Sequence, residues 1–243
     1  MKRRSLGQHY LRDEGIVKRV IELAAIRNGE RVLEIGTGRG TLTAQLAKVA
    51  DSLEAYEIDR ENYLTTKSLL NSHHAKLRLG DAFKAKPRFD VLVSSLPYSE
   101  SSTFVEWLSE LAYDRAIVIL QEDFARKITV SPGDRNYRAV SVIAQLSADV
   151  SLKNPVPRHA FEPPPRVNSR IVVFVRKRKL TRKKVVLIKL LFSLRRRNLK
   201  AALTKLGFDS SVGTNLGSRR VNSLAPEEVH DIISSFGRLG AAE

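Results

Sequence analysis

Ser95-Leu96-Pro97-Tyr98 is the segment of this chain whose residue types and spacing speak most directly of chemistry. It closes the apolar run Phe89–Ser94, so a buried strand leads straight into a rigid proline–aromatic turn. Such a turn sets backbone carbonyls and a flat ring at the carboxyl edge of a sheet, where open α/β sheets bind ligands. The chemistry this suits is methyl transfer to an exocyclic amino group of a base. An adenine N6 is a poor nucleophile, because its lone pair is delocalised into the ring. Acceptors aimed at its hydrogens draw it toward tetrahedral geometry and free the lone pair for in-line attack, so positioning and electrostatics carry the step. The acceptors here are the Leu96 or Pro97 carbonyl and the side chain of Ser95. That hydroxyl is shorter than an amide or carboxylate side chain and can also turn donor.

A second constellation precedes it. Glu34-Ile35-Gly36-Thr37-Gly38-Arg39-Gly40 joins a strand to a helix, and its glycines let backbone N–H groups approach a ligand. A dinucleotide fingerprint would need its third glycine at Thr41, whereas the third glycine is Gly40. The G-x-G-x-G spacing fits S-adenosyl-L-methionine, which has no pyrophosphate. Glu57, at the end of the next strand, can accept both ribose hydroxyls. Asp81, after the third strand, can take the adenine amino group.

The elements that must hold these residues are legible as alternating runs. Strands are expected at Arg31–Ile35, Leu53–Ile58, Lys76–Leu79, Phe89–Ser94 and Arg115–Leu120. Ser141–Val150 and Arg170–Val175 read as a closing pair. Helices are expected at Asp13–Ala25, Thr41–Val49 and Arg60–Leu70. Strand–helix alternation at this spacing implies right-handed crossovers and a mostly parallel sheet of seven strands. From Thr181 onward the pattern turns helical, with Gly207 as a cap and a last helix after Pro226. The domains are therefore placed at 1–176 and 177–243.

Bulk composition narrows the function classes. The chain has 243 residues, is 42% hydrophobic, contains no cysteine and carries a formal charge of +16. Absent cysteines exclude disulfides and thiolate-held metals, and fit a reducing cytoplasm. Five scattered histidines offer no metal site. No apolar stretch approaches the roughly 20 residues of a membrane span. Lys2-Arg3-Arg4 leads into polar sequence, so no signal peptide is expected. The charge is concentrated: 12 basic residues and no acid lie between Arg176 and Lys200. Arg176, Lys177, Arg178 and Lys179 open that block, Arg195, Arg196 and Arg197 lie near its end, and together they read as a surface for nucleic-acid phosphates.

With these residues in place, the chain resembles the KsgA-type ribosomal RNA adenine dimethyltransferases along nearly its whole length. Ser5-Leu6-Gly7-Gln8-His9-Tyr10-Leu11 resembles the family's N-terminal motif, Leu33–Gly38 its glycine motif and Glu57-Ile58-Asp59 its ribose motif. Gln121–Lys127 followed by Tyr137, Val156–Ser169 and Arg195–Leu199 are similar to three further motifs in the same order. The resemblance implies a Rossmann-like class I methyltransferase sheet with a small C-terminal helical domain. It implies that His9, Leu11, Gly36, Gly38, Glu57, Asp81 and Ser95 bind S-adenosyl-L-methionine. Tyr98 would then stack on the target adenine and Phe161 face it, with the prolines after Phe161 fixing an extended, ligand-lining segment.

The implied activity is methylation of adenine N6 in small-subunit ribosomal RNA, on loop adenosines splayed from their helix. The enzyme is expected to act in the cytoplasm as a monomer during ribosome biogenesis, without metal or membrane. Two other readings stay open on the residues alone. One is an assembly factor of the same fold with attenuated catalysis, prompted by Ser95. The other is a methyltransferase of large-subunit RNA.

Overall fold

The computed structural model describes residues 8–70, 73–209 and 214–236. Ser5, Leu6 and Gly7 of the N-terminal motif lie outside the described residues. Two compact units divide the chain. The first takes the described residues through Phe104, then Ala112–Ala125 and Ser151–Arg176. The second takes Val105–Leu111, Arg126–Val150 and the described residues from Lys177 onward.

Beginning the first unit, a two-residue strand β1 (Tyr10–Leu11) precedes helix α1 (Glu14–Ala24). Asp13 caps α1 by accepting from the Ile16 N–H at 2.9 Å. Then come β2 (Arg31–Ile35), α2 (Thr41–Val49), β3 (Ser52–Glu57), α3 (Arg60–Leu69) and β4 (Ala75–Leu79). β5 (Val91–Ser95), α4 (Ser101–Ser109), β6 (Arg115–Gln121) and α5 (Glu122–Lys127) follow. After them stand α6 (Ala139–Ser147), β7 (Ala148–Val156), β8 (Phe161–Glu162) and β9 (Ser169–Arg176).

Seven of these strands form one sheet in the order β4-β3-β2-β5-β6-β9-β7. The pairs from β4 through β6 are parallel, and β9 runs antiparallel to β6. The central strands read as unbroken apolar runs because helices cover both faces; residues 91–93 and 116–120 are sealed from solvent. Strand order reverses between β2 and β5. That reversal opens the crevice in which α/β sheets of this kind bind ligands. The back of the sheet is tied to α1 by Arg115, which donates to the Ala24 and Ala25 carbonyls and pairs with Glu30 at 2.7 Å.

One expected strand is corrected. Ser141–Val150 is helix α6 up to Ser147, and only from Ala148 does the chain become strand β7. Ser141, Val142, Ile143, Ala144, Leu146 and Ser147 are all buried, so α6 lacks the polar face that gives a helix its sequence period. β7 then runs on to Val156 through Lys153, Asn154 and Pro155, tolerated there because β7 is the edge of the sheet.

The second unit is helical. α7 (Arg182–Ser193) buries Val185, Ile188, Leu191 and Phe192 and packs with α6 and α9 (Pro226–Ser235). Between them lies the short α8 (Leu199–Lys205), capped by Asn198, which accepts from the Ala201 N–H at 2.9 Å. Tyr137 is fully buried against Phe192, with ring centres 5.6 Å apart, and its hydroxyl donates to the Leu224 carbonyl at 3.2 Å.

Candidate active site

At the β2/β5 reversal lies a cavity of about 280 Å³. His9, Leu11, Gly36, Gly38, Glu57 and Asp81 line it, and so do Ser95, Leu96, Pro97, Tyr98 and Phe161. Residues scattered from the start of the chain to Phe161 thus meet in one place. Pro163–Pro165 are not among the lining residues, so the expectation for the proline run narrows to Phe161 itself.

One half of the cavity is built on Glu57. Its side chain is 4% exposed and sits at the end of β3. One oxygen accepts from the Gly38 N–H at 2.8 Å and the other from the Asp59 N–H at 2.9 Å. Burial raises its carboxyl above the ordinary range, and those backbone donors oppose the rise. The same side chain therefore fixes the glycine turn and keeps lone pairs for a ligand. Gly38 itself has φ 53°, and a Cβ there would sit 3.0 Å from the Tyr10 ring, so no other residue fits without strain. Helix α2 begins at Gly40 with no side-chain cap, and Thr41 and Leu42 at its start line the cavity. Asp81 closes the far end, accepting from the Phe83 N–H at 2.9 Å.

Among the polar groups that sequence reasoning gave no role, Glu34, Asn62 and Glu100 also line the cavity. Glu34 is fully buried in β2 with neither oxygen hydrogen-bonded. Burial above all pushes its carboxyl up to about 8. Its signal in the sequence was a lone acid inside Val32-Leu33-Glu34-Ile35, an apolar run otherwise. Asn62 in α3 is 8% exposed, and its Nδ2 has no partner. An isolated acid or amide buried this way costs free energy until a ligand satisfies it. In a chain of net charge +16 the cavity gathers four acids, Glu34, Glu57, Asp81 and Glu100, beside one arginine, Arg39. Orphaned carboxylate oxygens facing a sulfonium and an ammonium are the chemistry S-adenosyl-L-methionine brings, so these residues fit it.

The other half would take the base. Ser95 is the last residue of β5, and its neighbour Ser94 is buried and donates to the Ile35 carbonyl at 2.5 Å, clamping β5 to β2. The Pro97 carbonyl already accepts the Glu100 N–H at 3.0 Å, which leaves the Leu96 carbonyl as the freer main-chain acceptor. The Tyr98 hydroxyl meets Ser169 Oγ at 2.6 Å, and burial holds its pKa above the ordinary tyrosine value. β1 and β8 pair antiparallel, with Leu11 opposite Phe161. His9 Nδ1 lies 2.7 Å from the Pro163 carbonyl, so that nitrogen carries the proton, and its ring is 5.6 Å from that of Tyr98.

The sequence matches the ribosomal RNA adenine dimethylase family over residues 1–237. The chain belongs to this family. Its reaction is methyl transfer to adenine in ribosomal RNA, drawing on S-adenosyl-L-methionine. A probable ribosomal RNA small subunit methyltransferase A of Pyrococcus abyssi is 34% identical, over 93% of this chain and 89% of the relative. Among solved structures, a dimethyladenosine transferase from Plasmodium falciparum superposes with TM-score 0.83 at 26% identity, covering 96% of this chain and 98% of that one. The 23S rRNA methyltransferase ErmE gives 0.70 at 26% identity, covering 93% and 98%.

The basic residues sort into two kinds. Arg176, Lys177 and Lys179 are exposed, but Lys177 pairs with Asp149 at 3.5 Å and Arg178 with Glu227 at 2.9 Å. Arg195, Arg196 and Arg197 lie in the turn between α7 and α8 with no acidic partner among the described residues. Their backbone is pinned, with the Asn222 N–H on the Arg195 carbonyl and the Val221 N–H on the Arg197 carbonyl, both 3.0 Å. Arg138 joins them: burial, then Arg195 and Arg196, holds its guanidinium below the ordinary value. Among the described residues no group of three or more His, Cys, Asp or Glu is placed to hold a metal ion, and no helix is long and apolar enough to cross a membrane.

Proposed function

We propose that this chain transfers methyl groups from S-adenosyl-L-methionine to N6 of neighbouring loop adenosines in small-subunit ribosomal RNA during subunit assembly, in the cytoplasm and as a monomer. The observation that carries the reading is the meeting of Glu57, Asp81 and the glycine turn with Ser95, Leu96, Tyr98 and Phe161 in one cavity. The cofactor supplies an electrophilic methyl on a cationic sulfur. In this reading Glu57 holds the ribose hydroxyls and Asp81 the adenine amino group, while His9 and Leu11 close the entrance. Glu34, sealed from water, faces the cationic end of the ligand.

On the substrate side, Tyr98 and Phe161 offer apolar faces to a base taken out of its stack. The Leu96 carbonyl and the position-95 side chain accept its amino hydrogens and orient the lone pair. Ser169 and β8 hold those faces still, and a fixed geometry is worth more here than a strong base. The unpaired arginines of the α7–α8 turn carry phosphate contacts, with Arg176–Lys179 as a secondary patch.

Mass analysis of small-subunit rRNA incubated with the protein and cofactor tests the reading. A gain of methyl mass on adjacent loop adenosines is expected. No gain on small-subunit RNA, or a gain on large-subunit RNA only, overturns it.

A further inference from the structure

The position-95 hydroxyl is a short acceptor that can also act as a donor, yet the cavity holds a committed acceptor that the sequence reading passed over. Glu100 ends the short 3₁₀ turn Tyr98–Glu100 and lines the cavity with Ser95, Pro97 and Tyr98. It rides on the same turn as the base-facing residues, because its N–H is bonded to the Pro97 carbonyl at 3.0 Å. The carboxylate is half-buried, and its side-chain bond is a long one, 3.3 Å from Ser99 Oγ. No cation pairs with it among the described residues. Outside the cavity several sheltered acids are matched by a cation: Glu30 by Arg115, Glu122 by Arg170, Glu106 by Lys189 and Glu110 by Arg182. A cavity-lining acid left unmatched amid 42 Lys and Arg is placed for a ligand.

We propose, resting on the function above, that Glu100 is a catalytic residue of the base half. Its carboxylate accepts a hydrogen of the target amino group where the Ser95 hydroxyl reaches less far. As the N6–carbon bond forms, the sulfur–methyl bond breaks and sulfur keeps that electron pair as a neutral thioether. The positive charge that develops on N6 is met by the carboxylate, which takes the departing proton. A fixed anion beside a developing cation is stabilisation of the oxyanion-hole kind with the sign reversed.

The ordinary alternative is that Glu100 only complements the positive end of α4, which starts at the next residue. Four full-length variants, E100A, E100Q, S95N and S95N/E100A, separate the two. Single-turnover methyl transfer to unmethylated small subunits would be read beside calorimetric binding of the cofactor without RNA, and thermal melting. E100A is expected to slow methyl transfer by about 10- to 100-fold, while cofactor affinity stays within about threefold. E100Q, which accepts but cannot take the proton, should fall between, and S95N should recover at least about tenfold in the E100A background but little alone.

The inference is overturned if E100A transfers methyl within about twofold of wild type, or if its loss is matched by weaker cofactor binding. It is equally overturned if S95N gives the same gain with and without Glu100, or if E100Q, melting as wild type does, is fully active. Wild type that binds cofactor but methylates neither subunit removes the function beneath it as well; an active wild type with an unaffected E100A removes this inference alone.

Discussion

The Tyr98 hydroxyl is held 2.6 Å from Ser169 Oγ, so the ring at the end of the β5 turn is fastened to the first residue of β9. Ser169 is wholly buried and stands opposite Gln121 at the end of β6. An aromatic that must meet a base face to face gains from being fixed at its far tip, because the ring then keeps one tilt without losing its open face.

Removing that tether tests it. Ser169→Ala should leave cofactor affinity unchanged while lowering kcat about three- to tenfold, a cost of roughly 1 kcal/mol for one lost hydrogen bond. Steady-state kinetics on unmethylated small subunits, with calorimetric binding of the cofactor alone, reads both. Tyr98→Phe should give the same loss, and the double variant no more than either single one.

Glu57 joins two backbone donors to the cofactor site, so Glu57→Gln should hurt in two ways. An amide offers one oxygen where the carboxylate offers two, which leaves either Gly38 or Asp59 facing an N–H. Cofactor affinity should fall by about tenfold or more, and urea unfolding should show a loss of about 1–2 kcal/mol. Unchanged affinity would remove Glu57 from the binding role.

Glu34 makes stability depend on pH in a definite direction. Its folded carboxyl is raised to about 8, above its ordinary 4.5, so the folded protein holds this proton more tightly than the unfolded chain. The stabilisation is therefore complete below the unfolded value and is lost as pH rises through about 8, at up to about 1.4 kcal/mol per pH unit. Melting of the ligand-free protein should fall between pH 6 and 8, and Glu34→Gln should flatten that fall. Cofactor binding near pH 7 should release a proton, visible as a dependence of calorimetric heat on buffer ionisation; Glu34→Gln should abolish the release.

The two basic patches should differ in salt dependence. Each phosphate contact contributes about 0.7–0.9 to the slope of log affinity against log salt. Arg195, Arg196 and Arg197 have no acidic partner among the described residues, so replacing all three with Ala should reduce the slope by about 2 to 3. Replacing Lys177 and Arg178, which already pair with Asp149 and Glu227, should change it by less than about 1. Filter binding of small-subunit RNA across salt concentrations compares them, and equal effects would contradict the sorting.

Much of this arrangement was readable from the chain. The strands announced themselves because both faces of a parallel sheet are covered, which turns β2, β5 and β6 into apolar runs. The helix starts expected near Asp13, at Arg60 and after Pro226 follow from local hydrogen bonding and a fixed φ, which need no tertiary context. That Glu57 and Asp81 line one cavity was legible because they stand at or just past strand ends. What failed did so for physical reasons. α6 is buried on nearly every side, so its sequence has no polar face from which to read a helix. β1 and β8 are two-residue strands whose partners lie far apart in the chain, and no local pattern specifies such a pair. Glu100 and Asn62 are of types that usually face water; only the reversal of strand order turns them inward.

The β1–β8 pair carries a consequence of its own. In the proposed function Leu11 serves the cofactor and Phe161 the base, and the two are opposite residues of one ladder. Neither segment can shift without dragging the other or breaking its backbone bonds. Coupling between the two compartments, if the proposed function holds, would have a main-chain route through this ladder. Reciprocity then fixes the arithmetic: whatever factor the methyl donor adds to the affinity for the adenosine, the adenosine must return to the donor.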